Sequence, residues 1–302
     1  MNFHLASYRN HQQSKHDAKH VATWRNEKTV DYWRHQRMYR QIDPLLISYP
    51  KDKWLTVGDG RYGTDAHYIN QFGVGVIASD INDTCLKQAK QDGFIRDYAV
   101  ENAEQLSFKD EEFDFVLCKE SYHHFPRPML AIYEMLRVAG KGIILIEPND
   151  QAILEPYKDG VHSLAYWFEF SVKQSLKKII GKKSAEFPNR YESSGNYVYS
   201  ISRREMEKVA LGLNLDTIAT KGLNDSYLEG VEYEEVGENG PLFRKVKKNI
   251  KRMDEISKRR PEAVGLLIAI LFKVAPNQKC LELLQQNEFA VTTLEKNPYI
   301  KS

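Results

Sequence analysis

The sequence has few cysteines, little net charge and no long apolar run. Cys85, Cys118 and Cys280 show no metal-ligand spacing, so no metal site is expected, and such a sparse, odd count is typical of a reducing compartment. A formal net charge of +2 on 302 residues gives no indication of a nucleic-acid partner. The longest apolar run, 264–274, is shorter than the roughly 20 residues that span a bilayer. We therefore expect a cytoplasmic protein with no transmembrane segment.

A glycine-rich turn follows the first apolar segment of the chain. Glycines stand at 58, 60 and 63 directly after Trp54–Val57, and glycine permits positive φ and a close approach of backbone to a ligand. Asp80 ends the next apolar run, where its carboxylate could accept hydrogen bonds from both hydroxyls of a ribose. This layout is typical of a nucleoside-binding βαβ unit.

The turn alone does not identify the ligand. Its spacing matches the dinucleotide fingerprint G-x-G-x-x-G, which would place the pyrophosphate of NAD(P) on a helix N-terminus. S-adenosylmethionine fits the same layout, with its amino-acid end near the turn. A tight strand-to-helix turn without any ligand is the third interpretation.

The chain alternates apolar strand candidates with helical segments between residues 54 and 147. This alternation predicts an α/β fold, a mostly parallel sheet with helices on both faces, whose strand C-termini share one ligand-binding edge. We expect a single domain with four parts: an N-terminal helical extension at 1–50, a cofactor-binding core at 51–150, a cap insertion at 151–200, and a segment at 201–302 that completes the sheet.

Residues 101–118 resemble the middle of a class I S-adenosylmethionine-dependent methyltransferase. Asn102 and Ala103 fall where that family grips the adenine edge, and Phe113-Asp114-Phe115-Val116 falls on its fourth-strand motif. Glu134–Val138 and Gly140-Lys141-Gly142 resemble the helix and glycine turn before its fifth strand. The resemblance covers about 54–148 and implies a Rossmann-like, seven-stranded sheet whose last two strands form an antiparallel hairpin at the edge. It favours S-adenosylmethionine over a nicotinamide cofactor.

The match has departures. Thr56 stands where the family usually has an acid, which puts the usual contact to the methionine ammonium in doubt, and Asp59 could replace it. Asn102 stands where aspartate is commoner, and its carbonyl oxygen can still accept a hydrogen bond from the adenine amino group. The donor-binding residues that the resemblance implies are Gly58, Asp59, Gly60, Gly63, Asp80, Ile81, Asn102, Ala103, Lys119 and Glu120.

Two histidines follow the fourth strand, where the methyl group is expected. His123 and His124 are candidate general bases because imidazole titrates near neutral pH. Alternatively, one packs at a helix cap and the other orients a loop, and Glu120 caps the helix. Acceptor contacts are expected from two places, the end of the fifth strand and a polar loop: Glu147, Asn149, Tyr191, Glu192, Asn196 and Tyr197. A solvated turn after the strand and an ordinary surface loop are the alternative interpretations.

The expected reaction is methyl transfer to a polar small-molecule or sugar-type acceptor, phosphate-containing ones included. An O-methyl product is favoured because two histidines are near. A nicotinamide oxidoreductase and a non-catalytic S-adenosylmethionine-binding module stay open as alternatives. A basic helix at 244–260 presents either a solvated face or a contact for phosphate on a nucleotide-linked acceptor or a lipid head group.

Overall fold

A computed structural model describes residues 2–14, 17–150 and 191–299 of the chain. Four helices precede the first strand: α1 (Phe3–Gln12), α2 (Ala18–Trp24), α3 (Val30–Tyr39) and α4 (Asp43–Ser48). Thr29 begins α3, because its hydroxyl accepts a hydrogen bond from the backbone N–H of Tyr32. Of the expected cap at 151–200, residues 151–190 lie outside the described residues.

The described strands form one sheet in the order β3-β2-β1-β4-β5-β7-β6-β8. Neighbours among the first five strands pair in parallel, whereas β7 runs antiparallel to β5 and β6, and β8 antiparallel to β6. The strands are β1 (Lys53–Val57), β2 (Gly75–Asp80), β3 (Tyr98–Val100), β4 (Phe113–Lys119), β5 (Ala139–Pro148), β6 (Thr217–Leu223), β7 (Leu266–Phe272) and β8 (Ala290–Thr293).

The Rossmann-like α/β class is confirmed, and the sheet has eight strands rather than seven. The additional strand, Ala290–Thr293, is short and only partly buried, so it lacks the apolar run that identifies an inner strand. The expected antiparallel pair of β6 and β7 exists, but β8 lies outside it at the edge of the sheet.

Helices cover both faces of this sheet. Alternate residues of each strand point to opposite faces, so Trp54 and Phe115 pack in one apolar layer while Leu55 and Val116 pack in the other. The remaining helices are α5 (Thr64–Gln71), α6 (Thr84–Gln91), α7 (Pro128–Val138), α8 (Arg203–Gly212), α9 (Pro241–Arg259) and α10 (Gln278–Gln286).

Local signals place several of these helices. The capping box predicted before α8 is present: the Ser202 hydroxyl accepts from the N–H of Glu205, and the Glu205 carboxylate accepts from the N–H of Ser202.

α9 packs through a separate apolar cluster of Val30, Val231 and three of its own residues. No helix in the described part of the chain is both long and apolar enough to cross a membrane.

Candidate active site

A cavity of about 1510 Å³ opens where the parallel strands end. The glycine turn after β1, the ends of β2 and β4, and parts of α1 and α3 form its walls. Most residues that the sequence assigns to the cofactor or to catalysis line it: Gly58, Asp59, Gly60, Asp80, Ile81, Asn102, Ala103, Lys119, Glu120, His123 and His124.

Gly58 and Gly60 stand where any side chain would collide with neighbouring residues of the protein. Gly58 has φ +78°, and a Cβ there would lie 2.4 Å from the Cβ of Ser121. A Cβ on Gly60 would lie 2.7 Å from Oδ2 of Asp80. Gly63 differs, because it lies at the start of α5 and faces Ile95 instead of the cavity. Two of the three glycines therefore form the cavity floor, and the third serves helix packing.

Asp80 faces the cavity with part of its hydrogen-bonding capacity unused. Its Oδ2 accepts from the N–H of Gly60 at 2.9 Å, and its Oδ1 accepts from the N–H of Asn82 at 2.8 Å. Burial raises the pKa of this carboxyl above its usual value, although both hydrogen bonds act in the other direction. A carboxylate has about four acceptor positions, so about two remain for ribose hydroxyls.

Asp59 lines the cavity, but its carboxylate is engaged within the protein. It accepts hydrogen bonds from the Thr56 hydroxyl at 2.8 Å and from the N–H groups of Asp65 and Ala66 at 3.1 and 2.9 Å. Burial and the nearby charge of Asp65 raise the pKa of Asp59 well above its usual value. This arrangement speaks against the expected contact between Asp59 and the methionine ammonium, because the carboxylate caps α5 instead.

Lys119 and Glu120 end β4 beside a buried histidine. The Lys119 ammonium lies 3.4 Å from Oδ1 of Asp65 and 3.2 Å from Nδ1 of His35. Burial lowers the pKa of Lys119, but the charges of Asp65 and Glu120 outweigh it and the net shift is upward. Glu120 has φ +50°, an uncommon conformation that turns the chain out of the strand into the cavity wall.

His123 is held by a carboxylate from the neighbouring strand. Its Nδ1 lies 2.8 Å from Oε2 of Glu147, and Oε1 of Glu147 accepts from the N–H groups of Ser121 and Tyr122 at 2.8 and 2.9 Å. Burial lowers the pKa of His123, but the hydrogen bond and charge of Glu147 outweigh it, so the pKa lies above its usual value. The ring is thus oriented through Nδ1, which leaves Nε2 as its second functional nitrogen.

His124 has a different partner, a carboxylate of the loop at 191–197. Its Nδ1 lies 2.8 Å from the carboxylate of Glu192. Burial raises the pKa of Glu192, but its contacts with His124 outweigh this and bring the pKa to about 2. Because the His124 ring is more than a third exposed, this pair ties a surface loop to the turn after β4.

The structure speaks against acceptor contacts by Glu147 and Asn149. Glu147 is 0% exposed and acts from behind His123. The Asn149 side chain donates to the carbonyl oxygens of Glu262 and Val264 and so fixes the start of β7. Strand-end position predicted the correct edge, but it did not distinguish side chains that face the cavity from side chains that support it.

Of the four side chains of the polar loop 191–197 that were expected at the acceptor site, the structure places only Glu192 in the cavity wall. Glu192 and Ser194 line the cavity, whereas Tyr191 and Tyr197 pack against each other outside it with ring centroids 5.6 Å apart. Asn196 is fully buried and donates to the carbonyl oxygen of His123 at 3.3 Å. Asn196 therefore fixes the loop, and the expected acceptor contacts of these three residues lack support.

The helix α1 contributes Tyr8, Asn10 and His11 to the cavity wall. Tyr8 hydrogen-bonds to the carboxylate of Glu104, and Arg127 donates to the Tyr8 hydroxyl at 2.9 Å. The side chain of Asn82 donates to the carbonyl oxygen of His11 at 3.2 Å. These contacts join α1 to segments that follow β2 and β3, so α1 forms part of the cavity wall.

Sequence reasoning also missed a charged wall supplied by α3. Asp31, Arg34 and His35 line the cavity, and Arg61 of the glycine turn contacts both Asp31 and His35. Burial and the charges of Arg61 and Lys119 lower the pKa of His35 well below its usual value, so it is neutral. Asp31, Arg34 and His35 lie on the same face of α3 as buried Met38. Polar residues within such an apolar stripe are the sequence signal that could have identified this wall.

Comparison with known proteins identifies the core of this fold. Residues 55–146 match the family described as a methyltransferase domain. No curated protein matches the chain. Within the described residues no group of three potential ligands is placed to hold a metal ion.

Solved structures that resemble this chain include several methyltransferases. One is a putative methyltransferase from Bacillus halodurans, with 18% identity and a TM-score of 0.44, covering 78% of this chain and 99% of its own. Another is a SAM-dependent methyltransferase from Methanosarcina mazei, with 18% identity and a TM-score of 0.44, covering 76% and 97%. A third is magnesium protoporphyrin IX methyltransferase from Synechocystis with bound SAH, with 15% identity and a TM-score of 0.45, covering 88% and 92%.

The family match decides between the cofactors that the glycine turn left open. Its span runs from β1 to β5 and contains the glycine turn, Asp80 at the end of β2 and the fourth-strand motif. The nicotinamide oxidoreductase and the non-catalytic binding module are therefore set aside. Residues 55–146 match the methyltransferase-domain family, and this match supports a class I S-adenosylmethionine-dependent methyltransferase with S-adenosylmethionine as its cofactor.

Proposed function

We propose that this enzyme methylates a hydroxyl oxygen of a polar small-molecule or sugar-type acceptor in the cytoplasm. The observation that carries the proposal is the position of His123, which lines the cavity while buried Glu147 holds its Nδ1. The three cysteines are free, buried thiols, which supports a reducing compartment.

The glycine turn and Asp80 at the end of β2 are proposed to hold the donor. Gly58 and Gly60 line the cavity, where the backbone of the turn can contact a ligand, and Asp80 has acceptor positions left for two hydroxyls. Asn102 and Ala103 are proposed to contact the adenine, and Ile81 lies beside Asp80. When bound, S-adenosylmethionine supplies a methyl group already activated by the positive charge on sulfur.

His123 is proposed as the general base. An alcohol must lose its proton as its oxygen is methylated, and a base positioned for this typically contributes about 10²–10⁴-fold to the rate. With the Nδ1 proton donated to Glu147, the lone pair of Nε2 can take the proton of the acceptor. Glu147 then stabilises the imidazolium that forms, by its charge and by its hydrogen bond.

The walls of the cavity favour a polar acceptor. Besides the donor site, the cavity presents charged groups of both signs from α3, the end of β4 and the segment before α9: Asp31, Arg34, Glu120 and Glu232. Its volume of about 1510 Å³ exceeds the roughly 300–1,000 Å³ usual for one small ligand, which leaves room for an acceptor beside the donor. Sugar hydroxyls can donate hydrogen bonds to the carboxylates among these groups.

A methyl-transfer screen tests this proposal. Labelled donor is incubated with pools of sugars, sugar phosphates and other hydroxylated metabolites, and active pools are resolved to one acceptor. With that acceptor, His123→Asn is expected to lower kcat about 10²–10⁴-fold with little change in KM. His124→Asn serves as the matched control and is expected to have a much smaller effect. Equal activity of His123→Asn and wild type, or a product methylated on nitrogen or carbon, would overturn the proposal.

A further inference from the structure

The helix α9 concentrates positive charge on one side of the protein. Residues 241–260 contain nine basic and two acidic residues, a net charge of +7, whereas the whole chain carries +2. All nine basic residues are exposed. In the described part of the chain, only Lys258 among them forms an ion pair, with Glu255 at 2.8 Å.

The apolar side of α9 is already used within the fold. Phe243, Val246 and Ile250 are buried in a cluster with Val30 and Val231, and the ring of Trp33 meets Phe243 edge-on at 5.1 Å. The basic residues recur at steps of three and four on the opposite side, so they form a strip along a helix of 19 residues, about 28 Å long. We call this strip the basic face of α9. Besides these charges, Ile256 of the same helix is also exposed, at 45%.

We propose that the basic face of α9 docks the protein peripherally on membranes that contain anionic phospholipids. Outside residues 241–260 the chain carries a net charge of −5, so a partner that wrapped around the protein would meet repulsion. A planar layer of anionic head groups touches only the strip. Each basic side chain near such a surface adds to the attraction, which falls off within a Debye length of about 8–10 Å.

A nucleic acid fits the basic face less well. Binding to single strands commonly combines charge with exposed aromatic rings that stack on bases. The single aromatic residue of α9, Phe243, is buried in the apolar cluster. A nucleic-acid duplex would extend beyond α9, so its phosphates would meet the remainder of the protein, whose net charge is negative.

The segment before α9 links this helix to the cavity wall. The segment that precedes α9 contributes Tyr227 and Glu232 to the cavity wall. The carboxylate of Glu234 accepts from the N–H groups of Leu242 and Phe243 at 3.1 and 2.7 Å, which ties that segment to the start of the helix. The docking face and the catalytic cavity thus share one structural unit.

Vesicle flotation tests this inference independently of methyl transfer. The full chain is mixed with phosphatidylcholine vesicles that contain or lack phosphatidylglycerol. We expect binding to the anionic vesicles alone, and a loss of at least about tenfold between about 0.05 M and 0.5 M salt. Duplex DNA and RNA are added as competitors.

Two variants with equal charge changes locate the surface. The first variant neutralises the centre of the basic face by changing four residues to Gln: Lys247, Lys248, Lys251 and Arg252. We expect it to bind vesicles at least about tenfold more weakly. The control neutralises four exposed basic residues elsewhere, Lys51, Lys87, Arg96 and Lys208, and should retain binding. Binding to neutral vesicles, equal losses in both variants, or displacement by nucleic acid at sub-stoichiometric amounts would overturn the inference. Both variants should bind S-adenosylhomocysteine like wild type, so failure here is separable from failure of the donor site.

Discussion

The carboxylate of Glu147, 0% exposed at the end of β5, lies 2.8 Å from Nδ1 of His123 in the turn after β4. The same side chain accepts two backbone N–H groups of that turn. One buried acid therefore fixes both the backbone that carries His123 and the orientation of its ring. This relationship makes the proposed base dependent on a residue that does not itself face the cavity.

The first prediction concerns the pH dependence of this pair. Because the pKa of His123 is raised, its neutral, basic form is populated only as the pH rises through that value, so kcat/KM should increase with pH through an inflection above 6.5. Glu147→Gln removes the charge that raises the pKa, and the inflection should move to lower pH while the plateau rate falls. Glu134→Gln, which alters an ion pair with Arg137 on α7, is the control. An inflection that stays in place in Glu147→Gln would exclude this role.

The second prediction concerns the glycine turn. Gly60→Ala would place a Cβ 2.7 Å from Oδ2 of Asp80, so the turn or the carboxylate must shift. We expect donor affinity to fall at least about tenfold, measured by calorimetric titration with S-adenosylhomocysteine. Gly75→Ala is the matched control, because no atom lies within 4 Å of its added Cβ, and it should bind like wild type and change stability by less than about 0.5 kcal/mol. Equal affinities for both variants would contradict the described turn.

The third prediction concerns α1 as a wall of the cavity. Tyr8→Phe removes the hydrogen bond to the carboxylate of Glu104, and a hydrogen bond to a charged group contributes about 1.5–3 kcal/mol. We therefore expect S-adenosylhomocysteine to dissociate about tenfold faster or more in a stopped-flow displacement experiment. Tyr133→Phe, at an exposed tyrosine of α7, is the control. An unchanged dissociation rate in Tyr8→Phe would mean that α1 does not retain the ligand.

The sequence predicted the parts of this fold that carry strong local signals. Uninterrupted apolar runs identify inner strands such as β4 and β7, because both faces of those strands are covered. The strand β8 carries no such run, since its four residues lie at the edge of the sheet and are partly or fully exposed. Its existence depends on pairing with β6, which is a long-range contact that local pattern does not encode.

The residues of the candidate site likewise divide into those that local sequence signals predicted and those whose positions depend on long-range packing. Gly58, Gly60 and Asp80 follow from spacing along the chain, and the structure brings them together. The loop at 191–197 was predicted to reach the site, but which of its side chains face inward depends on packing, and Asn196 turned out to be buried. Glu147 was assigned to the acceptor because strand ends usually face ligands, whereas hydrogen bonds across two strands direct it behind His123.

Calorimetric titration of wild type and Asp80→Ala with S-adenosylhomocysteine, with NADH as the comparison ligand, tests the central claim most directly. The account predicts that wild type binds S-adenosylhomocysteine and not NADH, and that Asp80→Ala weakens binding about 10- to 100-fold, since about 1.5–3 kcal/mol from hydrogen bonds to a charged group is lost. Asp80→Asn, which keeps the shape of the side chain, should fall between the two. Equal affinity of wild type and Asp80→Ala for S-adenosylhomocysteine, or tighter binding of NADH, would contradict it.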